Sequence, residues 1–162
     1  MIKEIHGDIF ETDTNCIVHG VNCAGKFNAG LAKQIAIRFP EAKICYKSKF
    51  LHPGWELCEY QVVPIESKFY PNIKYIVNLA TQQSYGNDDK EYACKRSIRR
   101  GLAALLSHLE CFDQIKSIAI PRIGCGLGGL NWERDISPIF KELSSAFPFV
   151  DIKVYFHERF NR

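Results

Sequence analysis

The segment from Pro121 to Trp132, PRIGCGLGGLNW, places four glycines (Gly124, Gly126, Gly128 and Gly129) within six residues. It follows the apolar run SIAI, Ser117 to Ile120, and precedes a helical stripe of Ile136, Ile139, Phe140, Leu143 and Phe147. A strand, a bare loop and a helix in that order predict an α/β arrangement. Two readings of the bare loop stand side by side. It is an ordinary glycine-rich turn, or it lets a ligand touch backbone. Glycines expose N–H groups, and a run of them before a helix forms an anion cradle.

Working outward, short β-branched runs predict further strands at Met1–His6, Cys16–Val21 (CIVHGV), Glu59–Pro64, Tyr75–Ala80 and Asp151–Phe156. Helical patterns lie between them. Leu31, Ile35, Ala36 and Phe39 share a face in Gly30–Phe39, and Pro40 ends that helix before a second one at Glu41–Phe50. Glu91–Leu109 carries the clearest stripe: Ile98, Leu102, Leu105, Leu106 and Leu109. Pro138 leaves two readings for the last helix. Ser137 caps it with Pro138 in the first turn, or an earlier helix is kinked there. Buried strands alternating with helices imply a three-layer α/β/α sandwich with a mixed, mostly parallel central sheet. The whole chain, 1–162, reads as a single domain, with no internal repeat or linker.

Composition narrows the classes. The chain is 46% hydrophobic and 24% charged, as expected of a soluble globule. A net charge of +3 is too mild to demand a nucleic-acid partner, yet it does not repel an anion. Seven cysteines, none spaced as C-x-x-C, read as reduced and mostly buried thiols in a cytoplasmic protein. No secretory leader, membrane span, metal site or cofactor is expected, and the chain is expected to be a monomer.

Ligands of such sheets bind beyond the carboxyl ends of the strands, so the loops after Val21, Ala80 and Ile120 carry the interest. Gly124, Gly126 and Gly129 spell G-x-G-x-x-G, and Asp151 lies 22 residues on. A dinucleotide fingerprint is nevertheless excluded. It belongs to the first βαβ unit, whereas one strand remains here, and Asp151 opens that strand. Asn22–Gly30, NCAGKFNAG, is a second glycine-bearing loop that runs into a helix beginning at Gly30 and Leu31. Asn22 can both donate to and accept from a ribose hydroxyl. Two such loops at one sheet edge would suit a diphosphate. In GDIF, Gly7 to Phe10, Asp8 either starts a turn or accepts from an exocyclic amine. The basic run KRSIRR, Lys95 to Arg100, is a solvated helix face or a contact for a polyanion. Cys125 lies in the glycine loop and reads as packing.

GDIF, VNCAG…AGLAKQIAIRFP and IPRIGCGLGGLNW together resemble the macrodomain, the ADP-ribose-binding module, along nearly the whole chain. The resemblance implies that Asp8 contacts adenine beside the Ile9 backbone N–H, and that Asn22 meets the distal ribose. Gly30 and Leu31 would lie near the diphosphate. Ile123, Gly124, Cys125, Gly126 and Leu127 would form the second phosphate loop. Phe156 falls where many members put an aromatic beside the adenine. His19 aligns with a histidine implicated in the ADP-ribose-1''-phosphate phosphatases of the family.

PRIGCGL is also similar to the terminal ADP-ribose glycohydrolase branch, with two departures. Gln82 stands in place of that branch's lysine, and Gly128 in place of its aspartate. A glutamine cannot form an imine with an opened ribose. The resemblance thus implies ADP-ribose or ADP-ribose-1''-phosphate as ligand, with ADP-ribosylated macromolecules as wider partners. It leaves a phosphatase, a hydrolase without the lysine and a non-catalytic reader as alternatives. Strict strand alternation puts His19 and Asn22 on opposite faces, so both reach one pocket only if the strand breaks near Gly20.

Overall fold

A computed structural model describes residues 1–157. Its core is a six-stranded sheet: β1 (Ile2–His6), β2 (Cys16–Asn22), β3 (Tyr60–Pro64), β4 (Tyr75–Gln82), β5 (Ser117–Pro121) and β6 (Asp151–Phe156). The strand order is β1-β6-β5-β2-β4-β3. Only the β3–β4 pairing is antiparallel. The carboxyl ends of β1, β2, β4, β5 and β6 therefore share one edge. Among the described residues four α-helices flank it: α1 (Gly30–Arg38), α2 (Pro40–Leu51), α3 (Lys95–Glu110) and α4 (Ser137–Ala146).

Alternation along the strands builds two cores. Cys16 and Val18 of β2 join Val77 and Leu79 of β4 beneath the α3 stripe and the α4 residues Ile139, Phe140 and Leu143. Ile17 and Val21, with Ile76 and Ala80, face Ile35 and Phe39 of the first helical segment and Ala42 and Tyr46 of α2. The predicted three-layer sandwich is the fold observed. Of the cysteines, only Cys16 and Cys23 are buried; Cys111 is exposed and all seven are free thiols. Among the described residues, no helix is long and apolar enough to cross a membrane.

Most boundaries shift by a residue or two, and some shifts have local reasons. Both β2 and β4 run on past the apolar residues, to Asn22 and Gln82, through a register shift between Val21 and Asn22. α3 starts at Lys95 and not at Glu91. The amides of Tyr92 and Ala93 both donate to the Gly128 carbonyl at 2.9 Å, and Ala93 bridges Gln82, so this stretch is extended. Pro138 does lie in the first turn of α4. Ser137 is already inside that helix, which follows a π-helical turn at Trp132–Ile136. That turn is capped by Asn131, whose side chain accepts from the Arg134 amide at 2.8 Å.

Leu105 is fully buried between α3 and the sheet. Leu105→Ala is expected to destabilise the protein by about 2–5 kcal/mol, the usual cost of a buried leucine cavity. Urea titration would read this as a lower midpoint with an unchanged slope.

Candidate functional site

The glycine loop leaves β5 at Pro121 and is closed by its own backbone. The Cys125 amide donates to the Arg122 carbonyl at 3.1 Å, Gly129 to Gly126 at 3.1 Å and Leu130 to Gly124 at 2.9 Å. Its glycines are needed for different reasons. At Gly124 φ is +80°, where a side chain is strained. A Cβ on Gly128 would lie 2.6 Å from the Gly124 carbonyl oxygen. A Cβ on Gly126 would meet no atom within 4 Å. The fold itself therefore asks for no glycine at 126. Among the described residues, no acceptor takes the amides of Gly126, Leu127 or Gly128.

The start of α1 lies beside this loop. Ala29 precedes the helix without a side-chain cap, and the first helical bond runs from the Lys33 amide to the Ala29 carbonyl. The amides of Gly30, Leu31 and Ala32 thus find no acceptor among the described residues. They carry the positive end of the helix dipole. A Cβ on Gly30 would come within 3.9 Å of the Leu127 side chain, so the two loops touch. Backbone donors from two segments meet there, a geometry that suits an extended anion.

Asn22 organises the loop between β2 and α1. Its Oδ1 accepts from the Ala24 and Lys26 amides and from the Tyr46 hydroxyl, and its Nδ2 donates to the Lys26 carbonyl. Tyr46 also donates to the Asn22 carbonyl at 2.7 Å. Lys47 donates to the Gly25 carbonyl. Asn22 thus shapes the cradle with one Nδ2 proton to spare. Nothing in the sequence marked Tyr46 and Lys47 for this task.

At the far side of the edge, the Asp8 Oδ1 accepts from the Phe10 amide at 2.9 Å and caps a 3₁₀ turn at Ile9–Glu11. The Ile9 amide has no acceptor among the described residues. Phe156 closes β6 next to this turn, its carbonyl accepting from the Gly7 amide at 3.1 Å. Asp8, Ile9, Phe156 and both glycine loops therefore line one edge.

His19 does not lie on that edge. It is 1% exposed, with the Phe27 ring 5.3 Å away and Tyr46 behind Phe27 at 5.0 Å. Asn78 donates to the Ala42 carbonyl and the Gln61 side chain, which turns its Oδ1 toward His19 Nε2 at 2.7 Å. Nε2 therefore carries the proton, and the buried Nδ1 has no partner among the described residues. Burial pulls the imidazole pKa down to about 4, against a smaller upward push from Asn78. The strand irregularity that brings Asn22 to the Tyr46 side falls between Val21 and Asn22, one residue beyond the expected break.

The two departures also have places. Gln82 ends β4, its side chain donating to the Ser84 carbonyl at 2.7 Å. Gly128 has no room for an aspartate in this loop conformation. Partial burial holds the Cys125 thiol up at about 12, which keeps it protonated. On the basic face of α3, Arg99 pairs with Glu142 and Lys95 lies 3.9 Å from Asp135.

His19 generates a pH signature. Its folded-state pKa lies below the ordinary 6.5, so the unfolded chain takes up a proton first as pH falls. Stability present above pH 6.5 should be lost progressively down to about pH 4, by ~3 kcal/mol at most. His19→Gln should flatten this slope, as read by urea midpoints across that range.

Residues 18–137 match the Macro domain family. Over 158 residues the chain is 31% identical to the DNA ADP-ribosyl glycohydrolase of Mycobacterium tuberculosis, covering 96% of this chain and 42% of that protein. The chain thus spans less than half the length of this curated relative. The solved macrodomain of Mycobacterium tuberculosis DarG has a TM-score of 0.83 at 28% identity, covering 96% of this chain and 97% of that one. Thermosipho africanus DarTG in complex with ADP-ribose also has a TM-score of 0.83, at 21% identity, covering 98% of this chain and 42% of that one, a likeness of fold. With nearly three quarters of its length inside the matched region, the chain belongs to the Macro domain family.

Proposed function

We propose that this protein binds ADP-ribose along the glycine edge and hydrolyses a bond at the distal ribose, with ADP-ribose-1''-phosphate as substrate. The observation that carries the binding is Gly126. Its place in the fold gives no reason for a glycine, and amides without protein acceptors surround it. A ligand passing over the loop supplies the reason. The adenine would lie by Asp8, Ile9 and Phe156. The diphosphate would lie between the start of α1 and Gly124–Leu127, and the distal ribose beyond Asn22. The names of the relatives support ADP-ribosyl chemistry, and they add DNA-linked ADP-ribose as a wider substrate to test.

Removal of the 1''-phosphate asks for neither lysine nor aspartate. A water oxygen attacks phosphorus, the bond from phosphorus to the ribose oxygen breaks, and that oxygen leaves with a proton. Positioning and charge stabilisation by backbone donors carry much of such a step. The resemblance gives the acid–base role to His19, and for a proton to pass, the Phe27 side chain would have to move aside. Its seal behind Phe27 and its pKa near 4 keep it neutral and covered at pH 7. A reaction driven by His19 would then show an inflection near pH 4 and not near 6.5. The same seal, with Gln82 and Gly128, favours a second reading, a non-catalytic ADP-ribose reader.

Gly126→Glu should keep the wild-type melting temperature and lose ADP-ribose binding by calorimetry. Undiminished affinity would overturn the placement. Incubating the protein with ADP-ribosylated DNA and borohydride should trap no covalent adduct, since an amine nucleophile is needed to form a reducible imine. Phosphate release from ADP-ribose-1''-phosphate should exceed a protein-free blank and fall about 10²-fold or more in His19→Ala, the usual scale for an acid–base group. No release by wild type leaves the reader.

A further inference from the structure

We propose that Arg122, held by Glu4, is a positioning residue that sets the distance between the base end and the phosphate end of the site. The proposal rests on the ADP-ribose reading above. Arg122 is the first residue beyond β5, where the sheet hands the chain to the glycine loop. Its guanidinium lies 3.9 Å from the centre of the Phe156 ring, at the end of β6. It also donates to the Glu4 carboxylate on β1 at 3.0 Å. One side chain thus links three neighbouring strands, from the loop after β5 across the end of β6 to the middle of β1.

Glu4 receives the other end of the loop as well. Trp132 Nε1 donates to its second carboxylate oxygen at 3.3 Å, and the Trp132 ring lies 5.3 Å from the Arg122 guanidinium. Both ends of the segment from Arg122 to Trp132 are therefore tied to one carboxylate on the edge strand β1. Arg122 and Glu4 are partly shielded, with side chains 22% and 40% exposed, so water weakens their pairing less than at an open surface. A planar guanidinium can stack on a ring and fork onto a carboxylate at once, which an ammonium cannot.

The consequence falls on ligands that bridge the clamp. Asp8, Ile9 and Phe156 lie on the β1 and β6 side of it, and Gly124–Gly128 on the β5 side. A ligand that engages both sides needs their spacing fixed beforehand, because ordering it on binding costs affinity. A ligand that engages mainly one side does not.

The test is calorimetric titration of ADP-ribose and of AMP into wild type, Arg122→Lys, Glu4→Gln and the double variant. AMP lacks the diphosphate link and the distal ribose. ADP-ribose affinity is expected to fall about tenfold in Arg122→Lys, while AMP affinity stays within about twofold. Glu4→Gln keeps an oxygen for Trp132 and should lose less. The double variant should lose no more than Arg122→Lys, since the two residues act as one unit. Equal losses for both ligands would mark Arg122 as merely structural and overturn the proposal, as would unchanged ADP-ribose affinity in folded variants. Should Arg122→Lys fail to fold, Glu4→Gln decides by the same ratio. Wild-type protein that binds no ADP-ribose would instead sink the reading beneath it.

Discussion

The carbonyl of Gly128 accepts two amides, those of Tyr92 and Ala93, and much of the site's shape follows from that one oxygen. It draws the segment before α3 against the glycine loop and keeps it extended. α3 consequently starts late, and Ala93 packs close to Gly124 and Gly128. The Gly129 amide of the same peptide unit turns back to the Gly126 carbonyl, and among the described residues no acceptor takes the amides of Gly126, Leu127 or Gly128. The same closeness leaves no space for a side chain at 128. The late start of α3 and the missing side chain at 128 are therefore two outcomes of one contact.

Around this point the edge divides into backbone and side-chain work. The glycine loop and the start of α1 offer N–H groups. The side chains nearby mostly hold backbone in place: Asn22 and Tyr46 brace the first loop, and Asp8 caps its own turn. Recognition by fixed backbone dipoles needs little reorganisation when an anion arrives. It also leaves few groups able to move a proton, which is why the hydrolytic reading stands or falls on kinetics.

Much of this was legible in the residues. The α3 stripe, the alternation in CIVHGV and the glycine runs after two strands carry the layers, the sheet and the edge. What stayed hidden depended on contacts between distant segments. Only the packed fold shows that Ala93 belongs to an extended bridge and not to a helix. The sequence left His19 as either a satisfied core residue or a catalyst, because it does not reveal that the Phe27 ring packs against it with Tyr46 beyond. Asn22 read equally as a turn residue and as a ribose partner, and most of its hydrogen-bonding capacity serves its own loop. The glycines of the 124–129 run were alike in sequence, and only the space around each Cβ tells them apart.

That difference separates two kinds of selection. Gly124 and Gly128 answer to foldability, so losing them lowers the amount of protein in a cell whatever the ligand. Gly126 does not, and on the proposed reading it answers to the ligand passing over it. In a lineage released from that ligand, position 126 would drift first, while its neighbours stayed glycine. The residue found there would then serve as a marker of retained binding, readable without any assay.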